Sequence, residues 1–425
     1  MNERPKLFEL LVFGGTAFVL SQAIISMILI LEPGDPPNEG NLFWRLILIG
    51  CYLGVAFILV PYHRETFLVI RRNGFLAALV LLALASCAWS SMPALVLQRS
   101  IGVLGTTLLG IGMAVRLSLE DQLRFLRGLF RIIAILSLVS VVFFPSYGIS
   151  DYVLNNGEWR GIFSSKNTLG SVMALSILVE LQLPTLTRFS NVVKWLVIFV
   201  SATLLFFSRS NTSMFSLLGA LLLIEIYKFA AQRLRIPLYA IVLGIFVVLA
   251  SGVMVVRMDF QGVTGAVGRT ADLSGRTEIW NYVLSYVSER PVLGYGYSGF
   301  WAGVSPESDA IDRAMGIMIM YSHNGLLEIL LTLGAVGLFF ALGFLGTGLK
   351  RAYDYALRNR SGTNLWPLAF LIFILLYNLT ECTVLLQNLE WALCVATVVG
   401  TGTALLTPEE ELEEELLLVP SEEMI

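Results

Sequence analysis

Long apolar runs recur through this chain and restrict it to one class of fold. The 425-residue sequence is 56% hydrophobic and 14% charged, with a mean hydropathy of +0.77, which is too apolar for a water-soluble domain. A helix of about 17 to 25 apolar residues crosses the hydrocarbon core of a bilayer. Since only helices and closed barrels satisfy the backbone there, runs this long and uniform predict an all-α, polytopic helical membrane protein.

Twelve apolar runs have the length of a membrane span. We predict transmembrane helices at 7–31, 43–61, 74–91, 98–116, 129–146, 167–183, 190–207, 212–228, 236–256, 323–346, 364–381 and 387–406. The first run follows basic residues, as in a signal peptide, but it is too long for one, and we predict an uncleaved anchor.

The basic residues predict which side of the membrane each segment faces. With twelve spans and both termini cytoplasmic, most of the 28 lysines and arginines fall in cytoplasmic segments, in agreement with the positive-inside rule. The chain then divides into transmembrane helices one to nine (1–256), one large periplasmic loop (257–322), helices ten to twelve (323–406) and an acidic cytoplasmic tail (407–425).

A smaller set of basic residues falls on the predicted outer face, where topology does not require positive charge. Arg160 and Lys166 flank a short segment before a span, and Arg209 lies in a short polar connection between two spans. Arg276 lies in the large loop. Each could be a side chain that reaches the lipid headgroups, but four on one surface favour an anion site. Arginine binds phosphate oxygens through paired charge-assisted hydrogen bonds, which suits a diphosphate.

Carboxylates are scarce on the same predicted face, and the sequence shows no close acidic pair beside the basic cluster. A site that neutralises a diphosphate with arginines does not need a divalent cation. We therefore predict chemistry without a metal and without a cofactor.

His323 adds a proton-accepting group to this face. It is one of two histidines and opens a span directly after the long polar interruption, with Asn324 beside it to orient a substrate. Imidazole titrates near neutral pH and is the commonest general base. A lone interfacial histidine can also be purely structural, and the sequence leaves that alternative open.

Four segments, in this order and spacing, resemble the O-antigen ligase and polysaccharide polymerase superfamily of bacterial inner membranes. They are Trp159–Gly170, Ser208–Ser210, Gly275–Trp280 with Pro291 and Gly294–Gly296, and His323–Gly325 with Glu328 and Gly334. The resemblance covers about residues 155–345. Ser165 stands where the exopolysaccharide polymerase branch often has a histidine, which leaves His323 as the only histidine predicted on the outer face.

The resemblance implies an inverting membrane glycosyltransferase with a GT-C-like fold, placed in the inner membrane with its active site towards the periplasm. Its donor would be a glycan on undecaprenyl diphosphate. Arg160, Arg209 and Arg276 would hold the diphosphate, and His323 would activate or position the acceptor hydroxyl; Lys166 is added from its spacing and charge. Further substrate-binding candidates are Asn167, Asn324 and Tyr295.

The acceptor stays open. A ligase would transfer the glycan to lipid A-core, and we favour it slightly because Ser165 departs from the polymerase pattern. An O-antigen or exopolysaccharide polymerase would use another lipid-linked glycan. From another class, a transporter or flippase of the lipid-linked glycan also suits twelve spans, although a one-sided basic cluster fits alternating access poorly. Membrane lipids are expected partners and nucleic acid is not.

Overall fold

The computed structural model describes residues 5–23, 42–150, 157–233, 276–301, 305–359 and 363–406. Its helices are α1 (Leu7–Leu20), α2 (Leu42–Leu59), α3 (His63–Arg72), α4 (Gly74–Ala85), α5 (Pro93–Arg116), α6 (Leu119–Phe143), α7 (Lys166–Gln182), α8 (Arg188–Ser208), α9 (Asn211–Arg233), α10 (Arg276–Glu289), α11 (Pro306–Met315), α12 (Gly325–Arg358), α13 (Trp366–Tyr377) and α14 (Leu389–Ala404). Short helical turns occupy Val60–Tyr62, Ser86–Ala88 and Pro145–Gly148. Within the described residues no strand occurs beyond one isolated bridge between Ile149 and Trp159, so the all-α prediction is confirmed.

Several helices have the length and composition of membrane spans. Six candidates occur in the described residues: the continuous unit of α2 and α3, and helices α5, α6, α8, α9 and α12. Helices α1, α4, α13 and α14 are apolar but shorter. Every predicted span overlaps a described helix except 236–256, which lies outside the described residues. Residues 24–31 of the first predicted span, residues 257–275 of the large loop and the acidic tail 407–425 also lie outside them. The count of twelve and the periplasmic loop remain predictions.

One helix begins well before the span predicted within it. Helix α6 starts at Leu119, not near residue 129, because Ser118 caps it by accepting a hydrogen bond from the Asp121 N–H at 3.1 Å. The first turns of α6 are therefore a polar extension of the span rather than a connecting loop.

Helix α14 forms the centre of the bundle. Trp391 is fully buried, and its Nε1 donates a hydrogen bond to Thr107 Oγ1 of α5 at 3.0 Å. Gly110 allows the close approach of these helices, since a Cβ there would meet the Ala392 carbonyl oxygen at 2.5 Å. Small residues at such crossings let membrane helices pack backbone against backbone.

Helix α12 is broken near its start. Gly334 has φ 64° and ψ −166°, and a Cβ there would collide with the Val292 backbone. Pro291 and Val292 offer their carbonyls to the N–H groups of the two residues after Gly334, at 2.8 and 3.2 Å. The N–H groups of Tyr295 and Gly296 donate to carbonyls in the turn before Gly334, at 3.0 and 2.9 Å. The segment Pro291–Gly296 therefore satisfies the backbone groups that the break frees.

Candidate functional site

A buried carboxylate, Glu381, joins three of the predicted site residues. It lies in the turn between α13 and α14, and its side chain is 3% exposed. Arg276 Nη2 and Asn167 Nδ2 both donate to Glu381 Oε1, at 2.5 and 2.8 Å. His323 Nδ1 lies 3.4 Å from Glu381 Oε2. Residues predicted from three distant segments thus meet on one side chain.

Local structure places each of these groups. Asn167 lies in the first turn of α7, where Ser165 Oγ caps the helix by accepting from the Asn167 N–H at 3.1 Å. Arg276 is the first residue of α10. The turn that carries Glu381 is tied back to α13 by its own N–H, which donates to the Tyr377 carbonyl at 3.0 Å. Asn167 and Arg276 therefore lie in the first turn of a helix, and Glu381 lies in the turn directly after one.

His323 has a left-handed backbone, with φ 53°, a conformation that costs energy for any residue other than glycine. Its preceding residue is fixed on both sides: the Ser322 N–H donates to Glu328 Oε2 at 2.8 Å, and Trp280 Nε1 donates to the Ser322 carbonyl at 2.9 Å. Glu328 also accepts from Trp301 Nε1 at 3.0 Å. These bonds hold the strained turn, and with it the imidazole, against Glu381.

The contact between His323 and Glu381 is an ion-pair distance rather than an aligned hydrogen bond. Among the described residues, Nδ1 has no partner that meets hydrogen-bond geometry. Tyr321 packs beside the imidazole, with ring centroids 4.4 Å apart. Burial, followed by the nearby Glu381 carboxylate, raises the pKa of the Tyr321 phenol well above its usual value. The phenol therefore stays protonated and can act only as a neutral neighbour of the carboxylate.

Lys166 and Arg160 lie along an adjoining edge. Lys166 Nζ pairs with Glu158 Oε2 at 2.8 Å. Arg160 Nε donates to the Tyr147 carbonyl at 2.6 Å, and its guanidinium lies 5.1 Å from the centre of the Tyr147 ring. These contacts use one side of each cation and leave other donors of the Arg160 guanidinium available.

Arg209 ends α8 in a left-handed conformation, φ 52°, and its side chain is exposed. The next residue connects it to the carboxylate cluster, because Ser210 Oγ donates to Asn167 Oδ1 at 3.1 Å. On the other side, the Trp159 ring stacks on the Phe207 ring with centroids 4.4 Å apart, and the backbone N–H of Trp159 donates to the Phe207 carbonyl at 3.0 Å. The segment that carries Arg160 therefore rests on the end of α8.

The charges of this cluster are unbalanced. Among the described residues, the four cations Arg160, Lys166, Arg209 and Arg276 are accompanied by two carboxylates, Glu158 and Glu381, which leaves a surplus of positive charge. The sequence predicts few carboxylates and no close acidic pair here; in the structure Glu158 pairs with Lys166, and Glu381 pairs with Arg276. In the part of the chain that the structure describes, no cluster of three or more potential metal ligands occurs; metal-free chemistry remains a prediction.

Two further candidates lie apart from the carboxylate and hold structural contacts. Asn324 caps α12: its Oδ1 accepts from the Leu326 and Leu327 N–H groups, both at 3.1 Å, and its Nδ2 donates to the Leu379 carbonyl at 3.0 Å. Tyr295 is buried among aromatic rings, and its hydroxyl donates to Glu289 Oε2 at 3.0 Å. Their role in binding substrate stays a prediction.

Sequence reasoning missed Glu381 as a functional neighbour, and it named Glu328 only as part of the motif around His323. Glu381 falls where the predicted span 364–381 ends on the outer face, in a polar run that includes Asn378 and Thr380. A carboxylate at the end of an apolar span is costly unless it has a partner. That cost was the available sign that the turn faces the basic cluster.

Two comparisons identify similar proteins. The sequence profile of the O-antigen ligase family matches residues 196–342, which include Arg209, Arg276 and His323 but not Glu381. The chain is 25% identical over 275 residues to the exopolysaccharide production protein ExoQ of Rhizobium meliloti (strain 1021). That match covers 61% of this chain and 61% of the relative, so less than two thirds of the relative's length is represented.

Proposed function

Because the chain belongs to the O-antigen ligase and polysaccharide polymerase superfamily, we propose that it is a membrane glycosyltransferase. It transfers a glycan from undecaprenyl diphosphate to an acceptor hydroxyl at the periplasmic face of the bacterial inner membrane, with inversion and without a metal. The meeting of Arg276, Asn167 and His323 on the buried Glu381 is the observation that carries the proposal.

The basic side chains receive the diphosphate of the donor. Arg276 uses Nη2 for Glu381, and a guanidinium carries five N–H donors, so it can bind phosphate oxygens without leaving the carboxylate. Arg160, Arg209 and Lys166 supply further positive charge along the adjoining edge. Negative charge grows on the diphosphate as the glycosidic bond breaks, and cations already in position stabilise it in the transition state.

His323 takes the proton of the acceptor. Glu381 lies against Nδ1, so Nε2 is the ring nitrogen left to accept a proton from the attacking hydroxyl. The acceptor oxygen bonds to the anomeric carbon, the bond to the diphosphate oxygen breaks, and undecaprenyl diphosphate departs with the electron pair. A single displacement inverts the anomeric centre. Glu381 stabilises the imidazolium that forms, as a carboxylate beside a catalytic histidine does.

The first candidate acceptor is the lipid A-core, which makes the protein an O-antigen ligase; the match with the O-antigen ligase profile supports it. The second is another lipid-linked glycan, which makes it a polymerase; the similarity to an exopolysaccharide production protein supports that alternative.

The test supplies purified protein in bilayer nanodiscs with an undecaprenyl-diphosphate-linked glycan, with and without lipid A-core. Glycan-modified lipid A-core identifies a ligase, and longer lipid-linked chains without it identify a polymerase. No covalent product from an intact donor in either mixture contradicts the transferase and favours a transporter or flippase. As a matched control, His63→Ala should keep the activity that His323→Ala loses, because His63 is exposed on α3 and its Nδ1 contacts only the Val60 carbonyl among the described atoms, at 3.1 Å.

A further inference from the structure

A groove of about 440 Å³ lies where α3 meets α4 and α12 passes beside them. Its walls are apolar: Phe75 and Leu76 from the first turn of α4, and Phe340 and Phe344, one turn apart on α12. This volume is in the range of cavities that hold small molecules. The groove lies at the end of these helices that the basic residues predict to be cytoplasmic, away from Glu381.

The mouth of the groove is polar and positively charged. Arg72 and Asn73 line it, and Arg71 is exposed beside them. Behind them lies Arg351, whose guanidinium donates to Asn73 Oδ1 at 2.6 Å and to the Arg72 carbonyl at 3.3 Å. The Arg351 guanidinium is also close enough to the Arg72 guanidinium for the two charges to repel. The remaining acceptor described for Arg351 is the carbonyl of Val398, at 3.4 Å.

All of these acceptors of Arg351 are neutral oxygens, so its charge is not cancelled by its described hydrogen bonds. The neighbouring cation, Lys350, is by contrast paired with Asp354 at 2.7 Å. Uncompensated guanidinium charge at low dielectric is unfavourable on its own. An anion at the mouth would relieve it.

Helix α3 itself has the character of a helix that lies in the membrane interface. It follows a turn that contains Pro61 and carries Arg64, Arg71 and Arg72 against a single acidic residue, Glu65. Phe67, on the same helix, is 64% exposed. Basic residues combined with an exposed aromatic side chain are typical of helices that bind anionic lipid surfaces.

We propose that this groove binds an anionic phospholipid of the leaflet on that side. The phosphate lies at Arg71 and Arg72, and an acyl chain extends along Phe75, Phe340 and Phe344. A free phosphate would leave the apolar walls unused, and a zwitterionic lipid would bring no net negative charge to Arg71 and Arg351. The groove is separate from the site of the proposed transfer reaction, and its test does not depend on that reaction.

The test titrates purified protein in detergent with phosphatidylglycerol or phosphatidylcholine and follows retained lipid by native mass spectrometry. Phosphatidylglycerol should be retained and phosphatidylcholine should not, and excess inorganic phosphate should fail to displace the lipid. Arg71→Gln should weaken retention about fivefold, the effect of one basic residue near an anionic membrane. Thr347→Trp, which puts an indole into the groove, should abolish retention.

Two variants serve as matched controls. Arg188→Gln removes an exposed cation from the same predicted side, and Leu222→Trp adds an indole at an exposed position of α9; neither should change retention. Equal retention of phosphatidylcholine, displacement by inorganic phosphate, or an equal loss in Arg188→Gln would each overturn the proposal. Arg71 is exposed, so its variant should fold and decides the question even if Thr347→Trp does not.

Discussion

Two buried carboxylates of this protein, Glu180 and Glu381, are paired with arginine in different ways. Glu180 is 2% exposed and is held by two cations of one helix: Arg131 Nε lies 2.6 Å and Arg127 Nε 3.5 Å from its oxygens. Glu381 is 3% exposed, but its neighbours Arg276, Asn167 and His323 come from three separate segments. Both carboxylates are buried and therefore need partners, but the groups that supply them differ.

The difference lies in what the donors can do once the pair has formed. The arginines around Glu180 are permanently charged and belong to packed helices, so the cluster fixes α6 against α7. The donors around Glu381 include a neutral amide and an imidazole. Exposure does not distinguish the two sites, since Arg276 and His323 are 17% and 26% exposed and Arg127 and Arg131 are 19% and 27% exposed. A buried ion pair alone does not mark a functional site; the presence of an imidazole among the partners of the carboxylate is what distinguishes Glu381.

The largest expected effect on glycan transfer comes from removing the imidazole of His323. His323→Ala should lower the rate of glycan transfer by at least a factor of about 100, the usual loss when a general base is removed. The melting temperature should change little, because the side chain is only partly buried. Transfer assays and thermal unfolding of the same preparation measure both, and an active alanine variant would refute the role of His323 as base.

The next prediction compares the two carboxylates directly. Glu381→Gln should lower transfer by roughly 100-fold, since the imidazolium loses its counter-charge. Glu180→Gln should leave transfer intact and destabilise the fold by about 1–2 kcal/mol, because two arginines that are partly exposed lose their partner. Equal losses of activity in both variants would show that the two carboxylates do not differ in function.

A smaller effect on glycan transfer is expected when the guanidinium of Arg276 is replaced by an ammonium. Arg276→Lys should lower transfer roughly tenfold or more, because an ammonium cannot make the paired hydrogen bonds of a guanidinium and a hydrogen bond to a charged group contributes about 1.5–3 kcal/mol. Arg131→Lys keeps a cation at Glu180 and should have no effect on transfer. Full activity in Arg276→Lys would show that Arg276 contributes only its positive charge.

No effect is expected from a chelator. Transfer measured before and after treatment with a strong divalent-metal chelator should be equal, since arginine and lysine neutralise the diphosphate in the proposed site. Loss of transfer that added magnesium or manganese restores would contradict metal-free chemistry.

The sequence predicts the helices well because a bilayer imposes their length, and runs such as 190–207 and 212–228 satisfy that requirement locally. It also indicates His323, because a histidine at the start of a span is unusual, and Arg276, because it belongs to the set of basic residues on the predicted outer face. It does not reveal that Glu381 joins them, since that contact depends on how the turn between α13 and α14 lies against the starts of α7 and α10. Pairing across such sequence distances is a property of the tertiary fold.

The backbone of His323 shows the same limit. Nothing in its local sequence requires a left-handed conformation, which is held by Glu328 through Ser322 and by Trp280. Asn324 was predicted as a substrate ligand from its place beside His323, and the structure uses its side chain to cap α12. The sequence also predicts a helix-capping role for Asn324, because asparagine before an apolar run is a strong N-cap.

The break at Gly334 has a consequence for how the protein is made. Its freed backbone groups are satisfied by Pro291–Gly296, a segment that leaves the ribosome before α12 does. The first turns of α12 therefore complete their hydrogen bonds against a template synthesised earlier, not within themselves. Complete hydrogen bonding of α12 at the break therefore requires that earlier segment to dock against it.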